Sequence, residues 1–403
     1  MKNAFRIALH INFFVFAILL NSVGIVILKS INNYGVSEVT ASTLELFKDL
    51  PVAIISFLLA SFIPRIGYKK TMLIGLGVVT VGLVQMWAGN SFTSARILFA
   101  IVGSSFALIK VSVYGSIGLV TEDEKDHNSL MSSVEGMFMF GIALAYFLFP
   151  AFNSPNDPDA WLNVYLLLTG LVLITTGFIA RIPELQKADS STPLAEEFRA
   201  MIGLIAKLLV VVFVLSAFLY VMIEQGIMTW LPTFNEKVLH LSEDNSIRMA
   251  SILAISLGVG RILGGKLSEK IHWSWVIVMS IAAAMLLVWL VLPQALDSQV
   301  SEGATKIFGL PLLAFVFPLV GLFIAPIYPL LNSVVLSALP KKLHGPMTGL
   351  IVLFSAVGGT LGSRITAYFF ELFGGKAFYF PLIPLSLLLI SVFLLRKLTQ
   401  RDI

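Results

Sequence analysis

Residues 207–231 read KLLVVVFVLSAFLYVMIEQGIMTWL, a run in which Glu224 is the sole acidic side chain and Lys207 stands at the edge. At a rise of about 1.5 Å per residue, a helix of this length crosses the roughly 30 Å of hydrocarbon in a bilayer. The run has company along the whole sequence. Comparable apolar stretches are predicted at 5–29, 41–63, 70–89, 95–119, 129–150, 161–181, 247–266, 274–293, 308–338, 346–371 and 377–396, which makes twelve spans. They show no period-2 alternation, so a transmembrane barrel is excluded.

Composition points the same way. Of 403 residues, 57% are apolar and 12% charged, where a soluble domain carries about 25% charged residues. The mean hydropathy is +0.92. The chain has no cysteine, which excludes disulfide staples and thiolate metal or nucleophile sites. A pI near 9.1 invites a nucleic-acid reading, but the basic residues sit in short loops between spans rather than on one soluble face. Lys2 and Arg6 ahead of an apolar run resemble the start of a signal peptide. Apolar character continuing through Leu28, with no small-residue cleavage pattern, predicts a first membrane helix instead.

Turn formers such as Asn32-Asn33-Tyr34-Gly35 and Pro155-Asn156-Asp157-Pro158 fill most connections. One longer polar stretch, from Ile182 to Ala206, divides the chain. The expected domains are a six-helix bundle over 1–185, a cytoplasmic linker over 186–205 and a second six-helix bundle over 206–403. With both termini cytoplasmic, the cytoplasmic segments hold 17 Lys and Arg residues against 6 outside, and the positive-inside rule selects that orientation in a bacterial inner membrane. The halves also align. Setting Val102-Gly103 against Val320-Gly321 brings Lys110 opposite Tyr328 and Tyr114 opposite Asn332, as expected of repeated bundles that hold substrate near the midplane.

Two loops carry a more specific signature. Ala60-Ser-Phe-Ile-Pro64-Arg65-Ile-Gly67-Tyr68-Lys69-Lys70 and Gly265-Lys-Leu267-Ser-Glu269-Lys270 are similar to the loop motif of the major facilitator superfamily. Ala60 and Pro64 replace that motif's first Gly and its Asp, and His272 stands where a later Gly belongs. Gly67-Tyr68-Lys69-Lys70, Tyr220-Val-Met-Ile-Glu224-Gln-Gly226 with Trp230-Leu-Pro232, and Gly321-Leu-Phe-Ile-Ala-Pro-Ile-Tyr328-Pro329 resemble the fucose–proton symporter branch. The resemblance implies an all-α membrane protein of twelve helices in two pseudo-repeat bundles. It carries no substrate with it.

Away from the ends of the predicted spans, eight charged residues stand out: Glu45, Lys48, Asp49, Lys110, Glu135, Glu224, Arg261 and Arg364. Each costs on the order of 2.5 to 3.5 kcal/mol facing lipid, so each is expected to face protein or water. By helix rise, Lys110 lies about 15 Å from the cytoplasmic end of its helix and Glu135 about 10 Å from the same side of the next, so they can pair. Lys110 is then either a substrate or proton group or half of a fixed structural pair. Glu224 carries the same alternative. Tyr114, Tyr328 and Asn332 are uncharged binding candidates, with packing hydrogen bonds as the other reading, and His10 is read as structural. Glu45, Lys48 and Asp49 share one helix face. The resemblance sets helix 2 against helix 11 and helix 5 against helix 8. That implies an outer gate of Glu45 or Asp49 with Arg364, and an inner gate of Glu135 with Arg261.

Embedded acids and bases together favour proton-driven symport of a small polar or anionic organic solute, by a monomer in the lipid bilayer. Efflux of drugs or lipids is the alternative within the same fold, though eight embedded charges disfavour it. No GxxxxGK[ST] loop is present, so a gradient is the expected energy source. With no soluble segment beyond about 25 residues and no hydrolase or metal spacing, neither an enzyme nor a cofactor or metal is expected.

Overall fold

The computed structural model describes residues 2–59, 63–183, 194–297, 310–340 and 343–399. Residues 60–62 of the first loop motif and 184–193 of the polar stretch lie outside the described residues, as do Lys341 and Lys342. Among the described residues every regular element is helical, beside a single isolated bridge between Ser154 and Asp157.

The chain divides into two compact units, Met1–Val36 with Thr43–Leu194, and Ser37–Ser42 with Ala195–Ile403. In the first, the opening span is two helices, α1 (Lys2–Asn21) and α2 (Val23–Tyr34), rather than one. Asn21 Nδ2 donates to the Ala17 carbonyl at 3.0 Å and Ser22 Oγ to that of Leu19 at 2.8 Å. The backbone bonds from Ser22 to Ile18 and from Val26 to Ser22, at 3.2 and 2.9 Å, carry the ladder across the junction. The four-residue α3 (Glu38–Ala41) follows and belongs to the second unit.

The first unit continues through α4 (Thr43–Leu59), α5 (Ile63–Ile66), α6 (Tyr68–Gly89), α7 (Phe92–Val120), α8 (Glu124–Leu148) and α9 (Val164–Arg181). Among the described residues, eleven helical stretches are long and apolar enough to cross a membrane, and the 17-residue α4, about 26 Å long at the helical rise, supplies the twelfth span. In the first loop motif, Gly67 has φ +102°, a backbone that a side chain would strain, and α6 starts directly after it. Helix α7 packs on α1, α4 and α6. Gly103 is what admits α4: a Cβ there would lie 2.1 Å from the Lys48 carbonyl oxygen. Small residues at such crossings are how membrane helices come close without a hydrophobic drive between them.

The second unit contains α10 (Leu194–Ile205), a helix inside the stretch read as a polar linker, then α11 (Leu208–Lys237), α12 (Glu243–Ser268) and α13 (Trp273–Asp297). The predicted single helix over 308–338 is corrected. It is α14 (Leu313–Val316), a 3-10 turn over Phe317–Leu319, α15 (Val320–Ile324) and α16 (Ile327–Ser337). Pro318, Pro326 and Pro329 lack the amide hydrogens a continuous ladder needs. Helices α17 (His344–Phe373) and α18 (Leu382–Thr399) complete the unit, and α17 lies along α11. Side chains such as Val81, Ile174, Ile262 and Trp289 are more than 60% exposed, an arrangement suited to lipid and not to water.

Candidate functional site

Each unit carries polar residues inside its spans. In the first, Lys110 and Tyr114 lie one turn apart on α7, and Glu135 and Phe138 on α8. All four are half-buried. The Tyr114 hydroxyl donates a short hydrogen bond to Glu135 Oε1. Lys110 does not form the predicted pair with Glu135. Its ammonium lies 5.9 Å from the ring centre of Phe106 and 6.0 Å from that of Tyr114, cation–π distances, and among the described residues it has no hydrogen bond or ion pair. Glu135 remains within electrostatic reach of it. Phe13 ties the rings together, with centroids 6.1 Å from Phe106, 5.5 Å from Tyr114 and 5.6 Å from Phe138.

The second unit's cluster is closed on itself. Glu224 Oε1 accepts from Tyr220 Oη at 2.9 Å and from Arg261 Nη2 at 3.2 Å. Glu224 is 13% and Arg261 31% exposed at the side chain. Tyr220 stacks on Tyr328 with centroids 5.3 Å apart, and the Tyr328 hydroxyl shares a hydrogen bond of 3.1 Å with Ser355. Asn332, one turn along from Tyr328, has a buried Oδ1 with no partner among the described residues. Tyr220, Ser355, Phe13, Phe106 and Phe138 were not singled out from sequence as site residues. The spacings of Tyr220 and Glu224, Phe106 and Lys110, and Glu135 and Phe138, three or four apart on a helix, are the signals that could have found three of them.

Away from these clusters, α4 holds a compact ion triad. Lys48 Nζ is 2.6 Å from Glu45 Oε2 and 3.5 Å from Asp49 Oδ1, with Glu45 wholly buried. Arg364 Nη1 donates to the Val39 carbonyl at 2.8 Å and to Ser42 Oγ at 3.5 Å. Lys237 forms an ion pair with Glu38, and the Val39 amide donates to Glu371 Oε2 at 3.3 Å. So α17 and the end of α11 hold the Ser37–Ser42 segment. Near the chain start, Arg6 pairs with Asp126 and donates to the Val120 carbonyl. His10 bridges the Arg6 carbonyl and Ser133 Oγ, each at 2.8 Å, which is a structural role. Among the described residues, no group of His, Asp and Glu could hold a metal ion.

Two helical units with charged side chains inside their spans define a polytopic membrane transport protein. The chain belongs to the Major Facilitator Superfamily, whose family model matches residues 7–363. Its fold is similar to that of a bacterial homologue of the human lysosomal transporter Spinster, at 14% identity and TM-score 0.77, covering 100% of this chain and 97% of that one. It is also similar to the E. coli fucose:proton symporter, at 14% identity and TM-score 0.63, covering 97% and 98%. A D-xylose–proton symporter gives 14% identity and TM-score 0.67, covering 98% and 96%. No curated protein matches the chain by sequence.

Proposed function

We propose that this transporter is a proton-coupled symporter of a small polar or anionic organic solute, working by alternating access as a monomer in the bacterial inner membrane with both termini cytoplasmic. In this reading 1–185 and 206–403 are the two moving bundles and 186–205 the cytoplasmic linker. The observation that carries it is the Lys110–Tyr114–Glu135 cluster. A carboxylate that is half-buried inside a span and shares one hydrogen bond is a proton site, and an ammonium beside it without an ion pair is a place for a substrate. Two of the structural relatives are themselves named as proton symporters. Glu224, Tyr328 and Asn332 form the second polar surface, with Arg261 fixed on Glu224.

Gating is assigned to Glu45, Asp49, Arg261 and Arg364. Arg364 holds the main chain of the Ser37–Ser42 segment, and both acids are tied to Lys48. A change of state has to exchange such contacts for others, because only differential interactions move a two-state equilibrium. Arg261 has to leave Glu224 before it can close on another carboxylate. The test of coupling is uptake by proteoliposomes with and without an imposed pH gradient. Glu135→Gln is expected to lose uphill accumulation while retaining counterflow, and gradient-driven accumulation unchanged in that variant would remove Glu135 from the coupling role.

A further inference from the structure

Four cations lie inside the predicted spans away from their ends, and three are occupied. Lys48 is paired with Glu45 and Asp49, Arg261 with Glu224, and Arg364 with the Val39 carbonyl. Lys110 alone of the four has neither ion pair nor hydrogen bond among the described residues. An embedded charge without a counter-charge is costly, and ring faces compensate it only in part. Glu135, held by Tyr114, acts on it only through space and forms no ion pair with it. The ammonium lacks an anion in direct contact among the described residues.

What surrounds the ammonium sets the shape of that anion. Phe13 is buried and Phe106 nearly so, while Tyr114 and Phe138 are half-buried. Phe106 and Phe138 lie 5.9 Å apart, and both touch Phe13. The accessible side of the cluster therefore presents one ammonium beside ring faces. Apart from the Tyr114 hydroxyl and the Glu135 carboxylate, which bond each other, the named ring side chains offer no hydrogen-bonding group to a polyhydroxylated solute.

Resting on the symport reading, we propose that Lys110 receives the carboxylate of an organic monoanion whose flat apolar body lies against Phe106, Tyr114 and Phe138. A substrate carboxylate at Lys110 also meets the Glu135 charge. Protonation of Glu135 removes that repulsion, so anion and proton enter together.

The experiment uses the purified full chain in detergent and a thermal-shift titration, since a ligand of the folded state raises apparent stability by mass action. The probes are phenylacetate, phenylacetamide with the same body and no charge, acetate with the charge and no body, and glucose. Phenylacetate is expected to bind roughly tenfold or more tightly than either half-probe. Lys110→Gln should erase its advantage over the amide, Lys110→Arg should keep it, and Phe138→Ala should lower it toward acetate. Glu135→Gln should tighten phenylacetate binding. Equal binding of acid and amide to the wild type, no binding of phenylacetate, or an undiminished preference in folded Lys110→Gln would overturn the proposal. The symport reading fails separately. Lys110-dependent phenylacetate binding without gradient-driven uptake keeps the site and removes coupling, whereas gradient-driven glucose uptake without phenylacetate binding keeps coupling and removes the site.

Discussion

Lys110 and Arg261 occupy comparable settings, each on a span helix of its own unit beside a tyrosine and a glutamate, yet they are treated in opposite ways. Arg261 shares Glu224 with Tyr220. Lys110 lies beside ring faces while the Tyr114 hydroxyl takes Glu135. A paired charge is part of the scaffold, because removing one partner strands the other. A charge without a pair adds little to the scaffold and is available to a ligand. On the proposed reading, Arg261 belongs to the scaffold of its own unit and Lys110 is the binding group of its own.

That division can be broken most sharply by comparing two variants for transport and for stability. Lys110→Gln should lower uptake by roughly a hundredfold, as expected when the anchoring charge of an ionic substrate is lost at about 2 to 3 kcal/mol. Its melting temperature should hold, since no ion pair is broken. Arg261→Ala should do the reverse in stability. It leaves the Glu224 carboxylate stranded and should cost about 2 kcal/mol, below the range for fully buried pairs because the guanidinium is 31% exposed. Adding Glu224→Gln to Arg261→Ala should recover most of the loss. A larger fall in stability for Lys110→Gln than for Arg261→Ala would abolish the distinction.

Smaller effects sharpen the scaffold side. Gly103→Ala forces a Cβ against the Lys48 carbonyl at 2.1 Å and should destabilise by about 1 to 3 kcal/mol, the usual cost of overpacking. Denaturation in detergent measures it. Arg364→Ala frees the Ser37–Ser42 main chain, and cysteines introduced beside that segment in this cysteine-free chain should label faster. Unchanged labelling would remove Arg364 from the outer gate.

The smallest expected effect is at Asp126, where the hydrogen bond from Arg6 holds the carboxyl below the usual carboxylate range. A depressed folded-state pKa stabilises at pH values above the unfolded one. That contribution disappears as pH falls through the folded value. Asp126→Asn should therefore flatten a slight acid-side loss of stability, visible as a shallower melting-temperature curve below about pH 4.

Much of the architecture was legible in the residues because insertion into lipid is a composition problem. The apolar runs could be read directly. What was missed lies where single residues interrupt a run. The first span is divided at Ser22, and Pro318, Pro326 and Pro329 break the tenth, a consequence of proline chemistry that the apolar count hides. The short α3, capped by Ser37, was absorbed into a loop. At the site, the residue types were readable but their partners were not. Glu224 and Arg261 are 37 positions apart on different helices, so helical periodicity does not bring them together. Tyr114 rather than Lys110 meets Glu135, which depends on helix rotation that depth alone leaves open.

The most direct measurement of the joint claim, that an anion at Lys110 enters with a proton carried by Glu135, is substrate-driven proton movement. Wild-type proteoliposomes in lightly buffered medium, receiving external phenylacetate, should alkalinise that medium faster than protein-free liposomes do by passive permeation. Lys110→Gln and Glu135→Gln should each return the rate to the protein-free baseline. A wild-type rate equal to that baseline, or a rate that survives either substitution in folded protein, would contradict the account.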